Sequence, residues 1–489
     1  MEEQQEMKQL LQDSVFQNFY KISQIPRGSY HEEQISDYMV QWAKERGLFV
    51  IQDSLKNVYI RKEASKGYEQ KKGVILQAHM DMVCEKIPES VHDFLKDPIP
   101  WVLEGDILST GGETTLGADN GIGMALAMSV LEETSWKHPM IEVVFTVAEE
   151  ETMEGAEKFD ASLLQSSFFI NLDHAVGTEI VCGSCGGEAV EVNLNACWND
   201  IFSDQIVYCL EIGGLKGGHS GEDIHRGNGN ANRILARILM ELEKQMEIQL
   251  CSLKGGNFRL AISREARCDC VIPKNKEAQA KKIIQEILKN LKQEYQSAGK
   301  DLYIRFEPCK KHFDKACSMD CFLSLILFSP DGIWEMNADI TGAVNSSDNL
   351  GEMYLSQDGY RVVYEIRSAY DSVRDHIADI IIRLGKMLGG SIKIHSSYPG
   401  WAYHADSLLR NTALQVFEET YSMTPKVHSV HAGLECGCFF MGKPDLDVIS
   451  IGPDCWNLHS PEERLSVSST KRLYQILKKI IKQISDQKI

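Results

Sequence analysis

Short apolar runs alternate with helical patterns over the first 186 residues. Runs that are apolar at nearly every position are typical of strands buried on both faces of a sheet. Three such strands are expected: Gly73–His79, Ile141–Val147 and Phe168–Leu172. Helical periodicity covers Met7–Tyr20, Ile35–Gly47 and, after a loop, the apolar end of Leu116–Glu133. This alternation predicts an α/β fold with a mostly parallel sheet covered by helices on both faces.

The pattern changes near residue 186, where the strands begin to alternate polar and apolar positions. Alternation is typical of antiparallel sheet with one solvated face. The expected strands are Glu188–Leu194, Val207–Ile212, Phe258–Ile262 and Arg361–Ile366, and the helices between them are Asn230–Met246, Lys276–Ser297 and Asp375–Leu388. Residues 187–399 are therefore predicted to form an inserted α+β domain.

After Tyr398-Pro-Gly400 the α/β pattern returns. It consists of a helix, an apolar run and a terminal helix: Ser407–Tyr421, Leu446–Ile451 and Ser469–Ile484. We therefore expect a discontinuous domain made of residues 1–186 and 400–489.

Composition and charge narrow the class of protein. The 51 Lys+Arg and 70 Asp+Glu residues give a net charge of −19, which disfavours nucleic acid and anionic membrane as partners. The first six residues lack the basic and apolar regions of a signal peptide, so a cytoplasmic location is expected. The 14 cysteines are expected to be reduced thiols, and the spacing Cys182-Gly-Ser-Cys185 is only a weak redox or zinc signal.

Histidines and acids follow the buried runs at the ends where open α/β sheets bind their ligands. These residues are His79 and Asp81, Glu149-Glu150-Glu151, Asp173, His459 and, in a glycine-rich turn, Asp119. If these ends converge, the carboxylates repel one another unless cations neutralise them. Mixed His/Asp/Glu ligation suits two zinc ions first, with cobalt or manganese as substitutes.

The motifs around these residues resemble those of the dinuclear-zinc exopeptidase and aminoacylase family. They are His79-Met-Asp-Met-Val, Thr115-Leu-Gly-Ala-Asp-Asn-Gly-Ile-Gly, Thr146-Val-Ala-Glu-Glu-Glu-Thr-Met-Glu-Gly and Ile170-Asn-Leu-Asp. Within that family, Gly217-Gly-His-Ser-Gly-Glu-Asp-Ile-His225 and His431-Ala-Gly-Leu-Glu-Cys-Gly437 resemble the aminoacyl-histidine dipeptidase (cytosolic non-specific dipeptidase, Xaa-His dipeptidase) group. The resemblance implies a catalytic domain with an inserted lid domain.

The resemblance also implies a role for each matched residue of the acidic set. His79 and Asp173 would bind one zinc, Glu150 and His459 the other, and Asp119 would bridge the two. Asp81 would orient His79, and Glu149 would be the general base of a hydrolysis reaction. Spacing alone does not decide among Glu149, Glu150 and Glu151.

Four further residues are candidates for substrate recognition, with a helix-cap role as the alternative for Glu435. His219 would donate to the developing oxyanion, Arg367 with Asn345 would bind the substrate carboxylate, and Glu435 would bind the free ammonium. A homodimer is possible in the family, so His219 could act within its own subunit or across the dimer. The expected activity is hydrolysis of unblocked dipeptides, Xaa-His among them. An N-acyl amino-acid deacylase and a non-catalytic binding protein on the same scaffold are the alternatives.

Overall fold

The computed structural model describes residues 2–486, which divide into two compact units. Unit 1 contains the chain up to Gly183, Tyr403–Ser429 and the chain from Leu434 onward. Unit 2 contains Ser184–Ala402 and the short segment Val430–Gly433. Unit 1 is therefore assembled from both ends of the chain.

The helices are α1 (Glu2–Leu10), α2 (Ser14–Ser23), α3 (Glu33–Glu45), α4 (Ala118–Glu132), α5 (Glu154–Glu157), α6 (Ala231–Glu243), α7 (Glu277–Glu294), α8 (Asp320–Phe328), α9 (Asp371–Met387), α10 (Leu408–Tyr421), α11 (Cys436–Gly442) and α12 (Val467–Asp486). Short 3-10 turns cover Ala161–Leu163, Ile224–Arg226 and Lys274–Lys276.

The strands up to the middle of the chain are β1 (Phe49–Gln52), β2 (Val58–Lys62), β3 (Val74–His79), β4 (Val102–Glu104), β5 (Ile107–Ser109), β6 (Ile141–Thr146), β7 (Phe168–Asn171), β8 (Glu179–Ser184), β9 (Gly186–Leu194), β10 (Trp198–Asp200), β11 (Gln205–Gly213), β12 (Gly218–His219) and β13 (Gln249–Gly255). Those that follow are β14 (Ala261–Ile262), β15 (Ala266–Pro273), β16 (Tyr303–Pro308), β17 (Lys315–Cys317), β18 (Gly332–Met336), β19 (Val344–Ser356), β20 (Gly359–Ser368), β21 (Ser391–Tyr398), β22 (Lys426–Val430), β23 (Asp447–Ser450), β24 (Cys455–Trp456) and β25 (Arg464–Ser466).

The main sheet of unit 1 has eight strands in the order β1-β2-β6-β3-β7-β23-β8-β22. Its four central strands, β6, β3, β7 and β23, pair in parallel, while β1 with β2, β2 with β6 and β23 with β8 pair antiparallel. The sequence predicted a mostly parallel sheet. The central strands do pair in parallel, but the strands on either side of them pair antiparallel. The carboxyl ends of the central strands lie at one edge of the sheet.

The core of unit 1 packs helices against this sheet. Helix α4 is apolar on nearly every side and is buried along almost its whole length, as expected of a helix inside a domain. Helix α12 is amphipathic and buries one face, including Leu473, Leu477 and Ile481. A separate four-stranded sheet, β24-β25-β5-β4, belongs to the same unit.

Unit 2 is built on an eleven-stranded sheet whose main path runs β16-β11-β15-β13-β19-β20-β9-β21. Every strand pairing along this path is antiparallel. Helices α6, α7, α8 and α9 contribute residues to the core that forms against it. This is the α+β arrangement that alternating strands predicted.

Two predicted elements were wrong in detail. The helical pattern over Met7–Tyr20 forms two helices, because Asp13 caps α2 by accepting a hydrogen bond of 3.0 Å from the Val15 N–H. The strand predicted over Phe258–Ile262 is reduced to Ala261–Ile262, and the side chain of Phe258 is exposed. Among the helices described, none is long and apolar enough to span a bilayer.

Candidate metal centre

Five histidine and acidic side chains meet at the carboxyl edge of the central strands of unit 1. His79 is the last residue of β3, Asp173 follows β7, and Glu150 follows β6. His459 lies beyond β23 in a turn where its φ is 59°, and Asp119 lies at the start of α4. These five side chains converge in the structure, as predicted from the sequence.

The carboxylate of Asp119 lies between the two imidazoles. Its Oδ1 is 2.9 Å from His79 Nε2, and its Oδ2 is 3.2 Å from His459 Nε2. Asp173 Oδ1 lies 3.3 Å from His79 Nε2, and Glu150 Oε2 lies 3.1 Å from His459 Nε2. The donors therefore form two groups, His79 with Asp173 and His459 with Glu150, that share Asp119. We call these five residues the inner cluster.

Asp81 holds several parts of the inner cluster in place. Its Oδ1 lies 3.3 Å from His79 Nδ1 and accepts a hydrogen bond of 3.1 Å from the Glu149 N–H. Its Oδ2 accepts hydrogen bonds from the Glu150 N–H, at 3.1 Å, and from the Ser29 hydroxyl, at 2.8 Å. One buried carboxylate thus orients both the ring of His79 and the backbone of the glutamate pair.

The turn that carries Asp119 is held by two residues that the sequence analysis missed. The buried carboxylate of Glu463 accepts hydrogen bonds of 2.7–3.2 Å from four successive N–H groups, those of residues 116–119. Arg27 is fully buried and donates to the carbonyl oxygens of Met80, Asp81 and Gly117. Neither residue belongs to a motif, and only the position of Glu463 four residues after His459 hints at its role.

The electrostatics of the inner cluster are those of a cation site. Burial and the charge of Asp119 raise the pKa of Asp173 to about 7. Hydrogen bonds to Asp119 and Glu150 raise the pKa of His459 to about 11. Glu150 Oε1 is buried and makes no hydrogen bond within the described chain. Three clustered carboxylates, an unpartnered oxygen and donor separations near 3 Å all fit divalent metal ions held by these side chains.

The three successive glutamates have different environments. Glu150 belongs to the inner cluster, while the Glu149 carboxylate lies beside it, with Oε2 3.9 Å from His79 Nε2. Burial, followed by the charges of Asp173 and Glu435, raises the pKa of Glu149 well above its usual value. Glu151 is exposed and, with Glu150, lines a cleft of about 620 Å³. The structure thus sets Glu151 apart, whereas Glu149 and Glu150 both lie close enough to His79 to hold a metal ion with it.

Glu435 lies fully buried in unit 1, just before α11. Its Oε2 accepts hydrogen bonds from Gln77 Nε2, at 2.5 Å, and from the Thr146 hydroxyl, at 2.8 Å. Its Oε1 has no hydrogen-bond partner among the described residues. Burial is the main cause that raises the pKa of Glu435 to about 8.

In unit 2, His219 has a defined tautomer. Its Nδ1 accepts hydrogen bonds from the N–H groups of Gly221, at 3.2 Å, and Glu222, at 3.1 Å. Burial and the charge of Arg367 lower the pKa of His219. A neutral ring that accepts at Nδ1 carries its proton on Nε2, which is then free to donate.

The other predicted residues of unit 2 lie on neighbouring strands. Arg367, on β20, is buried, and its guanidinium donates to Ser220 Oγ, at 3.4 Å, and to the Tyr398 hydroxyl, at 3.1 Å. Asn345, on β19, accepts a backbone hydrogen bond of 2.9 Å from the Ala369 N–H. Ser220 follows His219 directly, so His219 and Arg367 share one neighbourhood within this unit.

The paired cysteines of the Cys182-Gly-Ser-Cys185 segment are both buried and free. Burial raises the pKa of each thiol to about 12. Cys185 Sγ lies 3.0 Å from His431 Nδ1, and His431 Nε2 lies 2.6 Å from the Ser347 hydroxyl. Neither cysteine belongs to a metal-binding group among the described residues.

The chain is similar to known peptidases along almost its whole length. The chain is 37% identical to the cytosol non-specific dipeptidase of Escherichia coli over 98% of this chain and 99% of that protein. A crystal structure of aminoacylhistidine dipeptidase from Vibrio alginolyticus, 33% identical, covers 97% of each chain with a TM-score of 0.91. The fold is also that of the aminopeptidase PepT from Bacillus cereus, which is 15% identical, covers 97% of this chain and 98% of its own, and has a TM-score of 0.56. Residues 75–483 match the family model, so the chain belongs to peptidase family M20/M25/M40.

Proposed function

We propose that the protein is a metal-dependent dipeptidase that hydrolyses unblocked dipeptides, Xaa-His dipeptides among them. The observation that carries the proposal is the single carboxylate of Asp119 lying between two groups of metal ligands. The names of the relatives from Escherichia coli and Vibrio alginolyticus support the substrate class. Membership of the family supports a metal cofactor.

Two zinc ions are the proposed cofactor, with cobalt or manganese as substitutes. His79 and Asp173 would hold one ion, Glu150 and His459 the other, and Asp119 both. When bound, such ions supply a Lewis acid that polarises a carbonyl and acidifies water. We assign the catalytic role to residues 1–186 and 400–489 and the role of a lid to residues 187–399.

Glu149 is the proposed general base. It takes a proton from the water whose oxygen attacks the scissile carbonyl carbon, and it gives that proton to the amine that leaves as the C–N bond breaks. Asp81 supports this role, because it accepts a hydrogen bond from the Glu149 N–H while it also orients His79. The carboxylate of Glu149 is regenerated in each cycle.

His219 is the proposed donor to the oxygen that gains negative charge during attack. The two N–H groups that donate to Nδ1 leave the proton on Nε2, the form that an oxyanion requires. We expect His219→Asn to lower kcat with little change in metal content. Mixing this variant with a Glu150→Gln variant tests whether His219 acts across a homodimer, since recovered activity requires exchange between subunits.

Recognition of the two substrate termini is assigned to three residues. The planar guanidinium of Arg367, with Asn345 nearby, would bind the carboxylate. The unpartnered Oε1 of Glu435 would accept from the free ammonium. Arg367→Ala should raise KM for dipeptides, and Glu435→Gln should raise KM for free dipeptides more than it lowers kcat. Unchanged KM values would contradict these assignments.

The decisive experiment combines metal analysis with a panel of dipeptides and their N-acetylated counterparts. We expect bound divalent metal, turnover of the free dipeptides and none of the blocked ones. Turnover of only the blocked substrates would identify an N-acyl amino-acid deacylase, and metal binding without turnover of either set would identify a binding protein.

A homodimer and a cytoplasmic location complete the proposal. Strand β18 pairs with β19 in unit 2 and exposes Ile333, Trp334 and Met336, the kind of apolar edge that a second copy covers. Light scattering at working concentration should give twice the mass of one chain. Cell fractionation tests the location, which is suggested by the name of the cytosolic relative from Escherichia coli.

A further inference from the structure

A second group of metal-ligand side chains lies in unit 1 outside the inner cluster. It consists of His174, Glu179 and His428, which we call the outer cluster. Glu179 begins β8 and His428 lies on the neighbouring strand β22, while His174 follows β7. His174 ends the buried run that carries Asp173, and Glu179 follows five residues later, but His428 lies far away in the chain and no motif connects the three.

The outer cluster has the donor geometry of a metal site. Glu179 Oε2 lies 3.3 Å from His174 Nε2 and 2.9 Å from His428 Nε2. The two imidazole rings meet edge to face with centroids 5.6 Å apart. The Nε2 atom of each ring lies near the same carboxylate oxygen. Ligands about 2.0–2.2 Å from a tetrahedral ion are separated by about 3.3–3.6 Å, so the His174 separation has that spacing and the His428 separation would widen by about 0.4 Å on binding. The separations are similar to those between donors in the inner cluster.

The hydrogen bonding of His428 supports a ligand role. Its Nε2 is buried and makes no hydrogen bond within the described chain, although Glu179 Oε2 is 2.9 Å away. In the tautomer that carries its proton on Nδ1, such a buried nitrogen beside a carboxylate has an electron pair to offer to a cation.

Lys426 should lower the affinity of the outer cluster for a cation, although it pairs with only one oxygen of Glu179. Its ammonium lies 2.9 Å from Glu179 Oε1, the oxygen that faces away from the two imidazoles. The lysine side chain is 65% exposed, so the ammonium can move into water at low cost. Oε2 lies beside the two imidazoles, with His174 Nε2 at hydrogen-bond distance, 3.3 Å, and Lys426 already neutralises part of the carboxylate charge. An ion here should bind more weakly than ions in the inner cluster.

We propose that His174, Glu179 and His428 bind a third divalent cation, zinc in preference to magnesium or calcium. Imidazole ligands select zinc over the hard cations that prefer oxygen. The site goes beyond the proposed dipeptidase function and does not depend on it. His174 directly follows Asp173 of the inner cluster, so an ion in the outer cluster fixes the segment that carries one of the inner ligands.

The test is zinc stoichiometry, measured by equilibrium dialysis and elemental analysis of metal-free full-length protein titrated with zinc alone. We expect three zinc ions per chain in the unsubstituted protein, with the third dissociating first, and one fewer in His428→Ala. The matched control is His404→Ala, an exposed histidine of the same unit, which should keep all of the ions. The test measures a difference of one zinc ion per chain between the unsubstituted protein and the variant. This difference does not depend on whether the protein hydrolyses dipeptides.

A second variant guards against misfolding. Glu179→Gln keeps the shape of the side chain and should also lose one zinc ion, and thermal unfolding of the metal-free proteins should show that each variant is folded. Lys426→Met should strengthen binding of the third ion several-fold. Equal zinc content in the unsubstituted protein, His428→Ala and Glu179→Gln would overturn the proposal.

Discussion

Asp119 in unit 1 and Asp348 in unit 2 both have little contact with water, but they differ in the partners of their carboxylate oxygens. Each oxygen of Asp119 lies within 3.2 Å of an imidazole nitrogen, and neither oxygen of Asp348 has a hydrogen-bond partner among the described residues. The pKa of Asp119 lies below its usual value because hydrogen bonds to His459 and His79 outweigh burial. The pKa of Asp348 lies well above its usual value because of burial and the neighbouring Asp331.

Burial alone therefore does not identify a functional acid. Asp348 lies near Arg233, but that guanidinium pairs with Asp331, at 3.4 Å, and donates to backbone oxygens that include Ser329 O, at 2.8 Å. A buried carboxylate without a partner reduces stability. Carboxylates that share histidines, as in the inner cluster, are arranged to receive a cation. Removing charge should therefore have opposite effects in the two units.

The largest effect is expected at Glu149. Glu149→Gln removes the proposed base without changing the five inner-cluster residues, so kcat should fall by about 10²- to 10⁴-fold while metal content is retained. Steady-state kinetics and elemental analysis measure the two quantities. Glu151→Gln, at the exposed neighbouring position, should be nearly silent. Loss of metal together with activity would instead make Glu149 a ligand.

A smaller effect is expected at Glu463, which touches no proposed ligand side chain. Glu463→Gln weakens its four hydrogen bonds from the turn of Asp119, so metal affinity should fall by about 10- to 100-fold. Competition with a chelator measures the affinity, and exposed Glu462→Gln is the control. Unchanged affinity in Glu463→Gln would mean that the turn holds its shape without this carboxylate.

The smallest effect, and one of opposite sign, is expected at Asp348. Asp348→Asn should raise the free energy of unfolding near neutral pH by about 1–3 kcal/mol, since the amide cannot ionise. The folded state keeps the Asp348 proton above the usual pKa of 3.8, where the unfolded chain releases it, so the native carboxyl loses stability as pH rises above about 4. Urea unfolding at several pH values should show the advantage of the variant growing with pH. No advantage over exposed Asp358→Asn would mean that Asp348 is stabilised by groups we have not identified.

The sequence predicted the central strands and the convergence of the inner cluster because both follow from local patterns. Apolar runs mark β3, β6 and β7, and the edge at which parallel strands end is fixed by their direction. Arg27 and Glu463 were not predicted because they contact residues that are distant in the chain. Glu463, for example, bonds a residue 347 positions away. The assignment of Val430–Gly433 to unit 2 likewise has no signal in the hydrophobic pattern.

Strand β23 lies between β7 and β8 in the sheet, but the ribosome synthesises it much later than either of them. The ribosome completes β7 and β8 and then the whole of residues 184–402 before it reaches Asp447–Ser450. Until then the edge of β7 lacks its partner, and an unpaired strand edge is open to pairing with other chains. His459 emerges still later, so a nascent chain has no complete inner cluster until that residue has been synthesised.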